Sequence, residues 1–137
     1  MWSEQTQLSN GGGGNYLNRV VSLSADGNIL AAGAYYENNN AGAVYIYTRD
    51  GNNNWSQQAI LSGSVPDEKF GNTVSLSTAD GNTLAVGAFL TNAVHVYTRD
   101  GNNWSEQTVL TGGNGYNFGW STSLSADGNT LAVGGTY

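Results

Sequence analysis

The sequence predicts an all-β chain of tandem four-stranded antiparallel units, and three observations carry that prediction. First, Ser22-Leu23-Ser24-Ala25-Asp26-Gly27-Asn28 returns as Ser75-Leu76-Ser77-Thr78-Ala79-Asp80-Gly81-Asn82, and again as Ser123-Leu124-Ser125-Ala126-Asp127-Gly128-Asn129. The period is about 50 residues, inside the range that marks stacked repeat architectures. Second, each copy divides into short runs of β-branched and apolar residues separated by Asp-Gly-Asn turns, the pattern of strands and tight hairpins. Third, no run shows the 3.6-residue periodicity of a helix.

Four strands recur in order. Strand A covers residues 20–24, 73–77 and 122–125. An Asp-Gly-Asn turn follows, built from the residue types that tolerate positive φ in a tight hairpin. Strand B covers 29–34, 83–88 and 130–134, and strand C covers 43–48 and 93–98. In strand C the alternation sends Val44, Ile46 and Thr48 to one face and Ala43, Tyr45 and Tyr47 to the other. A second turn, Asp50-Gly51-Asn52 or Asp100-Gly101-Asn102, leads to strand D at 55–61 and 104–110. Trp2-Ser3 and Leu8 mark one further D strand at the start, echoing Trp55-Ser56 and Trp104-Ser105.

The chain therefore reads D, ABCD, ABCD, AB, with repeats at about 1–54, 55–103 and 104–137, the last incomplete. Such units are β-propeller blades, which close in rings of about four to eight. Two and a half to three blades close no ring. The expectation is ring closure by self-association, a homodimer favoured over a homotrimer because about six blades lie nearer the usual range. The other reading is a fragment of a larger protein.

Composition narrows function. The 137-residue chain carries four Lys or Arg against ten Asp or Glu, a net charge of −6. Nucleic-acid binding needs a basic surface to neutralise phosphates, so that class is excluded. The apolar runs are strand-length, so no membrane insertion is expected. Cysteine is absent, which rules out disulfides and thiolate metal sites. Four Trp, eight Tyr and three Phe supply anchors for a core. Polar, Thr- and Asn-rich strands of low charge point to an extracellular or cell-surface location, with any export signal lying outside this chain.

Phe70-Gly71, then Leu84-Ala85-Val86-Gly87-Ala88, then Ala93-Val94-His95-Val96-Tyr97 and Trp104 resemble the FG-GAP repeat, which builds the seven-bladed propeller of integrin α-subunits. The third copy matches with Phe118-Gly119 and Leu131-Ala132-Val133-Gly134, whereas the first has Leu17-Asn18 in place of Phe-Gly. Tyr35, Phe89 and Thr136 stand where the family has proline. The resemblance implies a recognition or adhesion module, lectin-like in some relatives. It also implies calcium in the A–B loop. That loop is short here, with single carboxylates at Asp26, Asp80 and Asp127; calcium takes six to eight oxygens, so a structural turn is the stronger reading and no cofactor is expected.

Hairpins alternate ends, so the B–C and D–A loops share one face. That face differs from copy to copy, at residues 10–18, 35–40, 62–69, 89–92 and 111–117, and variable loops on a rigid scaffold are where ligands bind. Tyr35, Tyr36, Glu37, Asn38 and Asn39 form the loop richest in aromatic and amide groups, with Tyr116, Asn117 and Trp120 as a second cluster. Aromatic faces stack on sugar C–H patches while amides and carboxylates bind hydroxyls, so the expected ligand is a carbohydrate or a protein. The competing reading makes these rings inter-blade packing and the Asn residues turn formers.

Trp2, Trp55 and Trp104 repeat with the blade and read as packing; Arg49 and Arg99 read as turn supports. Catalysis has little to stand on. His95, the only histidine, replaces Tyr45 of the first copy and reads as structural. Asp67-Glu68 reads as solvated charge on an exposed loop, and residues 11–14, all glycine, as a flexible connection. The sequence thus supports a non-enzymatic recognition module, or else a structural unit whose repeats only stack.

Overall fold

The computed structural model describes residues 1–9, 19–113 and 116–137. Strands β1 (Val20–Leu23), β2 (Ile29–Ala34), β3 (Ala43–Arg49) and β4 (Trp55–Ser62) form one antiparallel sheet in sequential order. Strands β5 (Val74–Leu76), β6 (Thr83–Ala88), β7 (Ala93–Asp100) and β8 (Asn103–Thr111) repeat that sheet. Strands β9 (Ser121–Leu124) and β10 (Leu131–Gly134) form a two-stranded third unit. The predicted ABCD, ABCD, AB order is the observed order. A register irregularity falls between Ile46 and Tyr47 in the first sheet and between Val96 and Tyr97 in the second, so even the bulge repeats.

Turn chemistry explains the hairpins. Asp26 Oδ1 accepts from Ser24 Oγ at 2.6 Å and from the Asn28 N–H at 3.0 Å. Asp80 does the same with Ser77 and Asn82, and Asp127 with Ser125 and Asn129. These bonds, led by the seryl donor at Asp26 and Asp127 and by the Asn82 amide at Asp80, hold the three carboxyls below the usual aspartate range. Gly27, Gly81 and Gly128 follow at φ +70°, +65° and +73°, a conformation that glycine adopts without steric cost. Each turn offers one carboxylate, already committed to the turn, so these residues do not fit a calcium site.

The strand C alternation separates two cores. Ile29, Ala31, Val44 and Ile46 face the second sheet, where Phe70, Val74, Leu76, Leu84, Val86, Ala88 and Tyr97 meet them. Ala32, Ala34, Ala43, Tyr45 and Tyr47 cover the opposite face of the first sheet. Strands A stack from unit to unit through one repeated pattern. The Leu76 N–H donates to Ser22 Oγ at 3.0 Å, and the Leu124 N–H to Ser75 Oγ at 2.9 Å. Likewise the Ala25 N–H reaches the Thr78 carbonyl at 2.8 Å and the Ala79 N–H the Ala126 carbonyl at 2.9 Å. Identical bonds at both junctions give both junctions the same geometry.

Segment 2–8 departs from expectation. It forms no strand, although Leu8 packs against the outer core of the first sheet and Gln5 Oε1 accepts from Arg49 Nη1 at 3.4 Å. A strand is sustained by the ladder of a neighbour, and among the described residues no strand pairs with this segment. Trp2 is fully exposed, unlike Trp55 and Trp104, which pack partly buried against the cores.

Candidate functional site

Because adjacent strands are antiparallel, the described residues of the B–C and D–A connections lie at one end of the stack. One position per unit leads into strand A: Arg19 and Trp120 directly before β1 and β9, and Asn72 two residues before β5. The B–C connection leaves strand B through Tyr35 and Phe89. These five residues, with Val20, Tyr36 and Lys69, line a cleft of about 470 Å³. Three sequence repeats thus deliver different side chains to equivalent backbone positions around one opening.

Aromatic rings form the walls. Tyr35 and Tyr36 lie with centroids 4.4 Å apart, and Phe89 meets Trp120 edge to face at 4.9 Å. Tyr36 keeps 39% and Trp120 49% of its surface exposed, unlike the repeating tryptophans. Lys69 Nζ sits 4.1 Å from the Tyr36 ring centroid, close enough for a cation–π contact. Arg19 lies 5.8 Å from the same ring and donates from Nη1 to the Tyr35 hydroxyl at 2.9 Å. Asn72 is the strut: its Nδ2 donates to the carbonyls of Gly119 and Trp120, and its Oδ1 accepts from the Phe89 N–H.

The structure assembles part of the predicted set. Tyr35, Tyr36 and Trp120 come together in the cleft, with Trp120 joining the first cluster rather than Tyr116 and Asn117. Glu37 is half-buried and accepts from the Tyr45 hydroxyl at 2.6 Å. Asn38 and Asn39 take left-handed backbone at φ +53° and +56°, and the Asn38 carbonyl accepts from the Ala41 N–H. These three shape the loop and do not line the cleft. Tyr116 and Asn117 turn toward the end of the chain. Tyr116 packs edge to face on Tyr137 at 4.9 Å, and Asn117 Nδ2 donates to Thr136 Oγ1 at 3.2 Å. Residues 10–18, including the all-glycine stretch 11–14, lie outside the described residues.

Arg19, Asn72, Lys69 and Phe89 were not singled out by the sequence. The loop ranges reached Lys69 and Phe89 without giving them a role. The missed signal was positional: aligning the repeats on strand A places Arg19, Asn72 and Trp120 in one column, where the identities differ most sharply.

A second cluster corrects the reading of Asp67-Glu68 as solvated charge. Asp67 is exposed and accepts from Asn40 Nδ2 at 2.9 Å, but Glu68 is only 3% exposed. Glu68 Oε2 caps the Ser64 and Val65 N–H groups, and Oε1 meets His95 Nε2 at 2.9 Å. His95 Nδ1 meets Glu106 Oε2, also at 2.9 Å. Burial first, then the charge of Glu106, pushes the neighbouring Tyr97 phenol well above its ordinary value. This cluster pins the loop between the first two sheets to strands β7 and β8.

At the opposite end, Arg49 Nε donates to Asn28 Oδ1 and Arg99 Nε to Asn82 Oδ1, both at 3.1 Å. Their guanidinium groups lie 5.7 Å and 5.9 Å from the rings of Trp55 and Trp104. Both arginines are spent on supporting turns.

No protein-family model and no curated protein matches the chain. Solved structures do match, 44 chains in all. One is a chain in the crystal structure of a mitotic checkpoint complex, with TM-score 0.60 and 11% identity over 88% of the present chain. The present chain spans 34% of that chain's length. The likeness is one of fold, and the fold is that of β-propeller blades.

Proposed function

We propose that this chain is a non-enzymatic recognition module that binds carbohydrate in the cleft between Tyr35, Tyr36 and Trp120. One observation carries the reading: rings from three repeats converge on a single opening, and the two flanking it, Tyr36 and Trp120, remain solvent-exposed. Exposed rings with fixed orientation are the platforms on which sugar C–H faces stack. The FG-GAP resemblance and an extracellular location accord with such a role. What favours binding over catalysis is the commitment of the reactive groups: His95 is held between Glu68 and Glu106, and the turn aspartates are engaged by their own loops.

The test is a glycan array followed by titration of the tryptophan fluorescence. A binding sugar should quench or shift the emission of wild type, and Trp120→Ala should lose at least about tenfold in affinity, the effect of losing one stacking platform. Unchanged affinity in both Trp120→Ala and Tyr36→Ala would place the sugar elsewhere and sink the assignment.

A second reading, self-association into a ring, is favoured by the third unit. Strand β10 is paired on one side only among the described residues, and Val21 and Leu23 expose about half their surface on β1. An open strand edge and an apolar sheet face invite pairing. Light scattering at micromolar concentration should give a discrete homodimer or homotrimer; a 14.4 kDa monomer would remove this reading and leave the cleft untouched.

A further inference from the structure

We infer that the cleft takes an acidic saccharide, a pyranose ring bearing a carboxylate, with Arg19 and Lys69 receiving the anion and Tyr36 and Trp120 the ring. The inference rests on the carbohydrate reading above and adds the charge of the ligand.

Charge distribution supplies the first observation. The chain has ten carboxylates and four basic side chains. Two of those four line this cleft, and no Asp or Glu lines it with them. The other two are bound to turn asparagines at the far end of the stack. Among the described residues, every ion pair belongs to His95, so neither Arg19 nor Lys69 has a carboxylate partner. In a chain this acidic, placing both unspent cations on one opening creates a local positive field that attracts and retains an anion.

Geometry supplies the second. Lys69 is held over the Tyr36 ring at 4.1 Å, and Arg19 is fixed by its bond to the Tyr35 hydroxyl. Both cations are therefore positioned by Tyr35 and Tyr36, and Tyr36 is also one of the two rings that would hold the sugar. The Lys69 ammonium has three donors and the Arg19 guanidinium five. Among the described residues one of those eight, Arg19 Nη1 to Tyr35, is used by another side chain. The free fork of Arg19 matches the two oxygens of a carboxylate, and Lys69 adds a point charge. A neutral sugar would leave that pairing capacity unused.

The third is the absence of repetition. Arg19 occupies the column filled by Asn72 and Trp120 in the other units, and Lys69 precedes Phe70 where Asn117 precedes Phe118. Turn and core positions are copied faithfully between units, so these cations do not come with the scaffold.

The experiment compares cellobiouronic acid with cellobiose, which lacks only the carboxylate, by calorimetry on the full chain at about 20 mM and about 300 mM salt. The expected result is at least about tenfold tighter binding of the acid at low salt, shrinking at high salt. Arg19→Gln/Lys69→Gln should abolish that preference, so that the acid binds no tighter than cellobiose measured on the same variant, with near-UV circular dichroism confirming an intact fold. Equal affinity for both sugars would overturn the inference while sugar binding stands. So would an acid preference that survives in the double variant. Sulfate or acetate binding as tightly as cellobiouronic acid would reduce the site to a general anion trap and overturn it too. A sulfated cellobiose that outbinds the uronate would assign the anion to sulfate and overturn the carboxylate. Binding of neither sugar, with Trp120 emission unmoved, would fell the carbohydrate reading as well.

Discussion

Asn72 donates from Nδ2 to the main-chain carbonyl of Trp120 at 3.1 Å, tying the second unit to the third beneath the ring that walls the cleft. The same nitrogen reaches the Gly119 carbonyl at 2.9 Å, and Asn72 Oδ1 accepts from the Phe89 N–H at 3.3 Å. One amide thus orients both members of the Phe89–Trp120 pair. Removing it as Asn72→Ala leaves three main-chain groups without their partner. At about 1 kcal/mol per bond, partly recovered by water, the loss should be about 2 kcal/mol in urea unfolding, with a shift in Trp120 emission. Asn72→Asp keeps the acceptor and sets a carboxylate against two carbonyls, so it should be no better tolerated.

Strand B glycines should be far more sensitive than Gly51 in the turn between β3 and β4. A Cβ at Gly33 would lie 2.1 Å from the Gly71 carbonyl oxygen, and one at Gly87 would lie 2.3 Å from that of Gly119. The obstructing atoms are backbone of the next unit, which cannot swing aside. Gly33→Ala or Gly87→Ala should cost about 3 kcal/mol or more by forcing neighbouring units apart. Gly51→Ala meets nothing within 4 Å and should stay within about 0.5 kcal/mol of wild type. Chemical denaturation of the three variants checks the contrast.

Glu68 should matter more than its loop position implies. Glu68→Ala strips the Ser64 and Val65 amides and one side of His95 of their acceptor. Two main-chain donors and a largely buried ring nitrogen would lose their partner, and about 3 kcal/mol is the expected loss. Glu106→Ala removes the more exposed carboxylate of the cluster and should cost about 1 kcal/mol or less. Equal effects would mean that burial does not distinguish the two.

Acid should weaken the fold through the turns. The carboxyls of Asp26, Asp80 and Asp127 are depressed in the folded state by their seryl and backbone donors. A depressed carboxyl favours folding above its unfolded value of 3.8, and that contribution fades as pH falls through the lower folded values. Stability measured by thermal melts should therefore be flat near neutrality and fall below about pH 4. Asp80→Asn should be less stable at pH 7 and show a shallower decline, because one of the depressed turn carboxyls is gone.

Much of the fold was legible because it is written twice or more. Strand order, turn positions and the two-faced alternation of strand C depend on local periodicity and turn chemistry, which a single sequence displays. Segment 2–8 was misread because Trp2, Ser3 and Leu8 look like a D strand whether or not a strand C lies alongside, and pairing is not a local property. The site was half legible. Tyr35, Tyr36 and Trp120 announce themselves by residue type, but Glu37 was bound to Tyr45 by packing that no loop sequence reveals. Arg19 and Asn72 came from separate loops some 50 residues apart, and only the stacking of strands A brings them to one rim. Glu68 looked solvated for the same reason, since the histidine that buries it is on another sheet.

The column formed by Arg19, Asn72 and Trp120 has a consequence for how binding preference could change. All three stand at the same backbone address, outside both cores and clear of the Asp-Gly-Asn turns. The rim is asymmetric although the scaffold beneath it is periodic, so a ligand bound as proposed would meet a cation on one side and an indole on the other. Exchanging Arg19 or Trp120 would rewrite the rim while Asn72 keeps the second and third units joined.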